Sequence, residues 1–205
     1  GENTFTTYGL IEKALDYYPD DVMRIGAIGH SILIAKTEVD INKVIEYLPG
    51  GKASYELSAG DIFISNAMFK TLYTTTTGKN TTINNALLAQ TITLGLNLGM
   101  YNDLGTFALQ EGTFATADLD GGCGSTTPKV RSCYYNELMQ LVVVNEYLYK
   151  TISADIIAAL TTKGYPHTVG GLYQLANDGL GNVDGVVGSE AGASLSSISG
   201  AAAQI

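Results

Sequence analysis

The sequence predicts an α+β fold: a single compact domain over residues 1–205, made of several amphipathic helices and short β-strands around a buried central helix at about 84–100. Two observations carry this. Within 84–100, Leu87, Leu94 and Leu98 fall on one stripe of a 3.6-residue helix, and Leu88, Ile92, Gly95, Leu96 and Gly99 fill the neighbouring stripe, which leaves little circumference for water. Elsewhere, helical spacing of apolar residues alternates with short β-branched runs such as Ser31-Ile32-Leu33-Ile34-Ala35. Glycines in the central helix cost about 1 kcal/mol each relative to alanine, a cost easier to accept if another backbone packs closely on that side. At 205 residues and 45% hydrophobic content, the chain is long enough to bury one sizeable core.

Taken in order, Leu10, Ile11, Ala14, Leu15 and Tyr18 stand at helical spacing ahead of Pro19, which stops a first amphipathic helix. His30 begins a strand at 31–35, where a lone histidine beside apolar residues is expected to be a hydrogen-bonded structural group. Thr37 has the form of a helix N-cap, with acids in the first turn. Val39, Ile41, Val44, Ile45 and Leu48 give that helix an apolar side, and Pro49-Gly50-Gly51 ends it. These glycines follow a helix instead of preceding one, so they do not form a phosphate loop. Residues 53–65 read as loop with a short strand at 62–64, and 67–73 as a short helix. The threonine-rich run 74–82 reads as a polar surface loop; its Asn80-Thr81-Thr82 is formally a glycosylation sequon.

After the central helix, 104–109 and 112–116 read as two short strands joined by a turn at 110–112. The stretch 137–149 is β-rich and is expected to hold the longest strand. Ser153 caps a helix carrying Ile156, Ile157 and Leu160, which Gly164-Tyr165-Pro166 ends, and Thr168 caps another with Val169, Leu172, Leu175, Ala176 and Leu180. Leu195, Ile198, Ala202 and Ile205 repeat at helical spacing near the end. The helices at 38–48 and 168–180 are expected to contact the central one.

Cys123 and Cys133 enclose a short loop that can close as a disulfide, and an even, minimal count fits an oxidising compartment; two free thiols are the simpler alternative. A zinc site needs further ligands, and the only two histidines, His30 and His167, are not sequence neighbours of that loop. Asp118 and Asp120 before paired glycines, and Asp178 and Asp184 in a second oxygen-rich turn, are weak calcium candidates. They lack the distal bidentate glutamate of an EF-hand, and solvated turn chemistry is the default for both.

Four blocks then occur in one order: Leu48-Pro49-Gly50-Gly51; 85–98, reading Asn-Ala-Leu-Leu-Ala-Gln-Thr-Ile-Thr-Leu-Gly-Leu-Asn-Leu; Leu104-Gly105-Thr106-Phe107-Ala108-Leu109; and 168–181, reading Thr-Val-Gly-Gly-Leu-Tyr-Gln-Leu-Ala-Asn-Asp-Gly-Leu-Gly. This series resembles a domain of large secreted and cell-surface proteins of Bacteroidota, often multidomain and adhesin-like, exported by the type IX system. The resemblance covers roughly residues 8–205 and supplies no catalytic residues. Relatives commonly start with a Cys- and aromatic-rich segment and continue a final helix past the position of Ile205. The resemblance therefore implies a piece of a longer polypeptide, with neighbouring domains or copies of itself as partners.

Composition points the same way. Charged residues make up only 15% of the chain, against about 25% in ordinary globular domains, and polarity is carried largely by hydroxyls. A net charge of −9 with 11 Lys plus Arg disfavours nucleic acid and anionic membranes as partners. No apolar run approaches the ~20 residues that span a bilayer. G-x-S-x-G, H-E-x-x-H and Walker patterns are missing, although paired carboxylates for glycoside hydrolysis are a matter of spatial and not sequence spacing. The expected role is a non-catalytic extracellular module, serving adhesion, spacing or surface assembly without a cofactor. A carbohydrate-binding module using exposed tyrosines is the alternative, and a glycan-acting hydrolase the second alternative.

Overall fold

The computed structural model describes residues 6–117, 132–144 and 147–205. Helix α1 (Thr7–Leu15) opens on Thr6, whose hydroxyl accepts the Gly9 amide at 3.1 Å, and buries Ile11, Ala14 and Leu15. Strands β1 (Val22–Ala27) and β2 (His30–Ala35) pair as an antiparallel hairpin through Ile28 and Gly29. The strand expected at 31–35 is present, and the glycine-interrupted segment before it supplies its partner. Met23, Ile25, Ile32 and Ile34 are fully buried.

Helix α2 (Glu38–Tyr47) starts at Thr37 and is tied back to the end of β2. Thr37 Oγ1 accepts the Asp40 amide at 3.3 Å, while the buried Asp40 carboxylate accepts the Ala35 amide at 2.8 Å. Strand β3 (Gly60–Phe63) then joins β2 in parallel, which gives a sheet of order β1-β2-β3. Helix α3 (Ala67–Tyr73) drives Phe69 and Tyr73 into the core, where Phe69 stacks on Tyr47 with ring centroids 5.7 Å apart.

The threonine run differs from the expected loop. It is a hairpin of β4 (Thr74–Thr77) and β5 (Asn80–Ile83), turned at Gly78 with φ 63°. Threonine is β-branched and suits a pleated strand, and the turn residue is the one without a Cβ. Low complexity here reflects a repeated strand-former.

The central helix α4 (Ala86–Met100) begins at the buried Asn85, whose side chain accepts the Leu88 amide at 3.2 Å and donates to the Tyr55 carbonyl at 2.7 Å. Leu87, Leu88, Ile92, Leu94 and Leu98 are buried as the two stripes require. Residues 104–109 are not the expected strand: a 3-10 segment, Asn102–Thr106, follows α4. Leu109 donates to the His167 carbonyl at 2.8 Å and Val169 donates to the Phe107 carbonyl at 3.0 Å. With its backbone bonds spent on 167–169, this stretch cannot pair with 112–116.

Strand β6 (Gly112–Ala117) pairs instead with β9 (Tyr147–Ile152), while β7 (Ser132–Tyr135) pairs with β8 (Leu141–Val144). The single long strand expected within 137–149 is thus two strands with different partners. Cys133 lies in β7, but Cys123, and with it the disulfide, lies outside the described residues, as do Asp118 and Asp120.

Helix α5 (Ala154–Lys163) ends on Gly164 in the left-handed conformation. Helix α6 (Val169–Gly181) is capped by Thr168, which accepts the Gly171 amide at 3.2 Å. A two-residue pair, β10 (Ser189–Glu190) with β11 (Ala193–Ser194), leads into helix α7 (Leu195–Ala202), whose cap is Ser194. α4 packs against α1, α6 and α7. The expected contact with 168–180 is therefore present, and α2 packs mainly on α1, β2 and β5. Among the described residues no helix is long and apolar enough to cross a membrane.

Candidate functional site

Three helices frame an apolar concavity. α1, α2 and α4 diverge to leave an open groove of about 610 Å³ floored by Ala14, Val44 and Leu96 and rimmed by Leu10, Ile45 and Tyr101. The rim is apolar yet exposed, Leu10 by 38%, Ile45 by 40% and Tyr101 by 67%. Leu10 and Ile45 belong to the apolar sides of their helices in sequence, and both stay partly exposed at the groove. Apolar surface of this kind is typical of interaction sites.

Met100 and Tyr101 also line a second, polar cavity of about 540 Å³. Its walls are the C-terminal turn of α1 with Lys13, Asp16 and Tyr17, and the exit of α4 with Gly99, Tyr101, Asn102 and Asp103. Asp16 also pairs with Lys36, which keeps the Lys36 ammonium above its ordinary range through that hydrogen bond. Tyr17 is 53% exposed and meets Tyr18 edge-on at 5.2 Å. Tyr18 points inward, its hydroxyl donating to the Gly95 carbonyl at 2.7 Å, and burial pushes its phenol up.

Two further polar clusters are structural ties. Lys163 Nζ lies 2.8 Å from Asp178 and 2.7 Å from the fully buried Glu190, and Tyr165 donates to Asp178 at 2.6 Å. This joins the end of α5 to α6 and β10. Arg24 bonds Ser31 at 2.6 Å and Asp61 at 2.9 Å, and Asp61 also accepts from Ser31 at 2.5 Å and from the Gly29 amide at 3.0 Å. The serine hydroxyl there faces a carboxylate and a guanidinium, without an imidazole to activate it. His30 Nδ1 bonds the Leu57 carbonyl at 3.1 Å, and His167 Nε2 bonds Thr161 at 2.9 Å.

Of the calcium candidates, Asp178 and Asp184 fall within the described residues. Asp178 faces Lys163, and Asp184 accepts the Val186 and Ala191 amides, each at 2.8 Å. Among the described residues no three His, Cys, Asp or Glu side chains gather as a metal site. Sequence reasoning passed over Asp16, Tyr17, Tyr101 and Asp103, because they come from two segments that meet only when α1 crosses the end of α4. No family model, curated protein or solved structure matches the chain.

Proposed function

We propose that the chain is a non-catalytic module of a secreted or cell-surface protein that works by packing against neighbouring domains of the same polypeptide, as a spacer or adhesive unit. The groove between α1, α2 and α4 carries this reading. An open apolar trough with exposed Leu10, Ile45 and Tyr101 is the kind of surface a neighbouring domain covers. The ordered blocks, the low charge and the hydroxyl-rich composition support the extracellular setting. The strongly paired ionisable groups, Lys163 with Asp178 and Glu190, and Arg24 with Asp61, are tied into contacts between fold elements.

Protease shaving of intact cells that make the protein tests the setting. Peptides of this chain are expected in the released fraction; recovery solely from lysed cells would refute it. Cross-linking of the full polypeptide tests the mode. Lys13, on α1 in the cavity that adjoins the groove, is expected to cross-link to a flanking domain, and substituting Leu10→Glu together with Ile45→Glu is expected to remove that cross-link.

A further inference from the structure

We infer that the polar cavity between the end of α1 and the exit of α4 binds a neutral carbohydrate chain, with Tyr101 as the stacking platform and Asp16, Asn102 and Asp103 as hydroxyl partners. This rests on the extracellular-module reading only for where the glycan is met; the chemistry comes from the cavity itself. Sugars present a patch of C–H groups on one ring face and hydroxyls around the rim. A site for them needs an accessible aromatic face next to acceptors and donors that can each take a hydroxyl.

The cavity holds that combination. Tyr101 is 67% exposed and Tyr17 53%, and both line the same hollow as two carboxylates, one amide and the Lys13 ammonium. Carboxylates accept hydroxyl protons in charge-assisted bonds, asparagine both donates and accepts, and lysine donates. The volume of about 540 Å³ falls within the range of small-molecule sites.

Charge selects among ligand classes. Asp16 and Asp103 are offset locally by Lys13 in the cavity and by Lys36, which pairs with Asp16. A ligand of either sign therefore gains little net attraction, and nucleic acid is repelled by the chain's charge of −9. A neutral polyol is what remains. The hollow is open to solvent and borders the apolar groove at Met100 and Tyr101, which line both, so a linear chain has room to extend beyond it.

Backbone-amide NMR titrations with neutral linear tetrasaccharides of glucose, mannose, galactose and N-acetylglucosamine test this. At least one is expected to give saturable shifts confined to 13–17 and 99–103, with a Kd of about 0.1–3 mM, the range of a shallow single site. Tyr101→Ala is expected to weaken binding about tenfold or more with the rest of the spectrum unchanged, Tyr101→Phe to retain it, and Asp103→Asn to weaken it several-fold. The inference is overturned if none of the four shifts these amides at about 10 mM, if the shifts map elsewhere, if Tyr101→Ala binds as the parent does, or if tetragalacturonate or tetraglucosamine binds more tightly than every neutral sugar. Any of these results leaves the shaving experiment untouched, and a failed shaving experiment leaves the titration valid.

Discussion

The backbone of Gly99 in α4 lies against the carbonyl of Ala14 in α1, so close that a Cβ at position 99 would stand 2.2 Å from that oxygen. The two helices therefore meet backbone to backbone, which explains why a helix that pays for its glycines keeps this one. Gly99→Ala is expected to push α1 off α4 and cost about 1–3 kcal/mol, read as a lower Tm. Gly200 in α7 is the control: it is exposed, and a Cβ there meets nothing within 4 Å. Gly200→Ala is expected to raise stability by up to about 1 kcal/mol through helix propensity alone. Equal effects at both positions would contradict the close-approach account.

Leu94, 1% exposed, sits on the stripe of α4 that faces the core. Leu94→Asp places an unpaired carboxylate there, and the expected cost is several kcal/mol. Thermal melts by circular dichroism decide it, since a variant melting within a degree or two of the parent would mean that this face is not core.

Helix positions were legible because their signals are local. The Thr37 and Thr168 caps and the stops at Pro49-Gly50-Gly51 and Gly164 need only neighbours in sequence, while Ser153 holds the N-cap position of α5 but turns its hydroxyl to the Asp155 carboxylate instead of a helix amide. Strand pairing was not, because it is settled by distant partners: 104–109 bonds 167–169, and β6 reaches across to β9. The same holds for packing. Helical periodicity shows that α2 has an apolar face, but not that it packs mainly on α1, β2 and β5. The polar cavity is invisible for that reason too, since Asp16 and Asp103 become neighbours only through the Gly99–Ala14 crossing.

Asp61 fastens β3 to the β1–β2 hairpin through Ser31, Arg24 and the Gly29 amide. The Ser31 hydroxyl bond, above all, holds its carboxyl below the usual 3.8; burial opposes this, and the Arg24 and Gly29 contacts add to it. A carboxyl with a depressed folded pKa contributes stability that is present above the unfolded value and lost as pH falls through the folded one. Asp61→Asn is therefore expected to lower Tm at neutral pH and to flatten the decline below about pH 4. An acid limb as steep as the parent's would place that sensitivity in other carboxylates.

The Lys163 cluster governs the opposite end of the pH scale. Burial alone would lower the Lys163 pKa, but hydrogen bonds to Asp178 and Glu190 outweigh it and hold the ammonium well above its ordinary value. Burial, and then the bond donated to Asp178, push the Tyr165 phenol up from 10.0 to about 12. Both groups keep their protons longer in the folded chain than in the unfolded one, so their contribution is complete below about pH 10 and is lost as pH rises beyond it. Tm is expected to hold to about pH 9 and fall above pH 10, and Tyr165→Phe should fall less steeply between 10 and 12. Lys163→Met leaves the fully buried Glu190 without its cation, which is expected to cost about 3–5 kcal/mol at neutral pH. Adding Glu190→Met to Lys163→Met should recover part of that loss, because two apolar side chains are easier to bury than one unpaired charge. A double variant no more stable than the single one would show that Glu190 matters through its contact with the Asp184 amide at 3.3 Å and not through the ion pair.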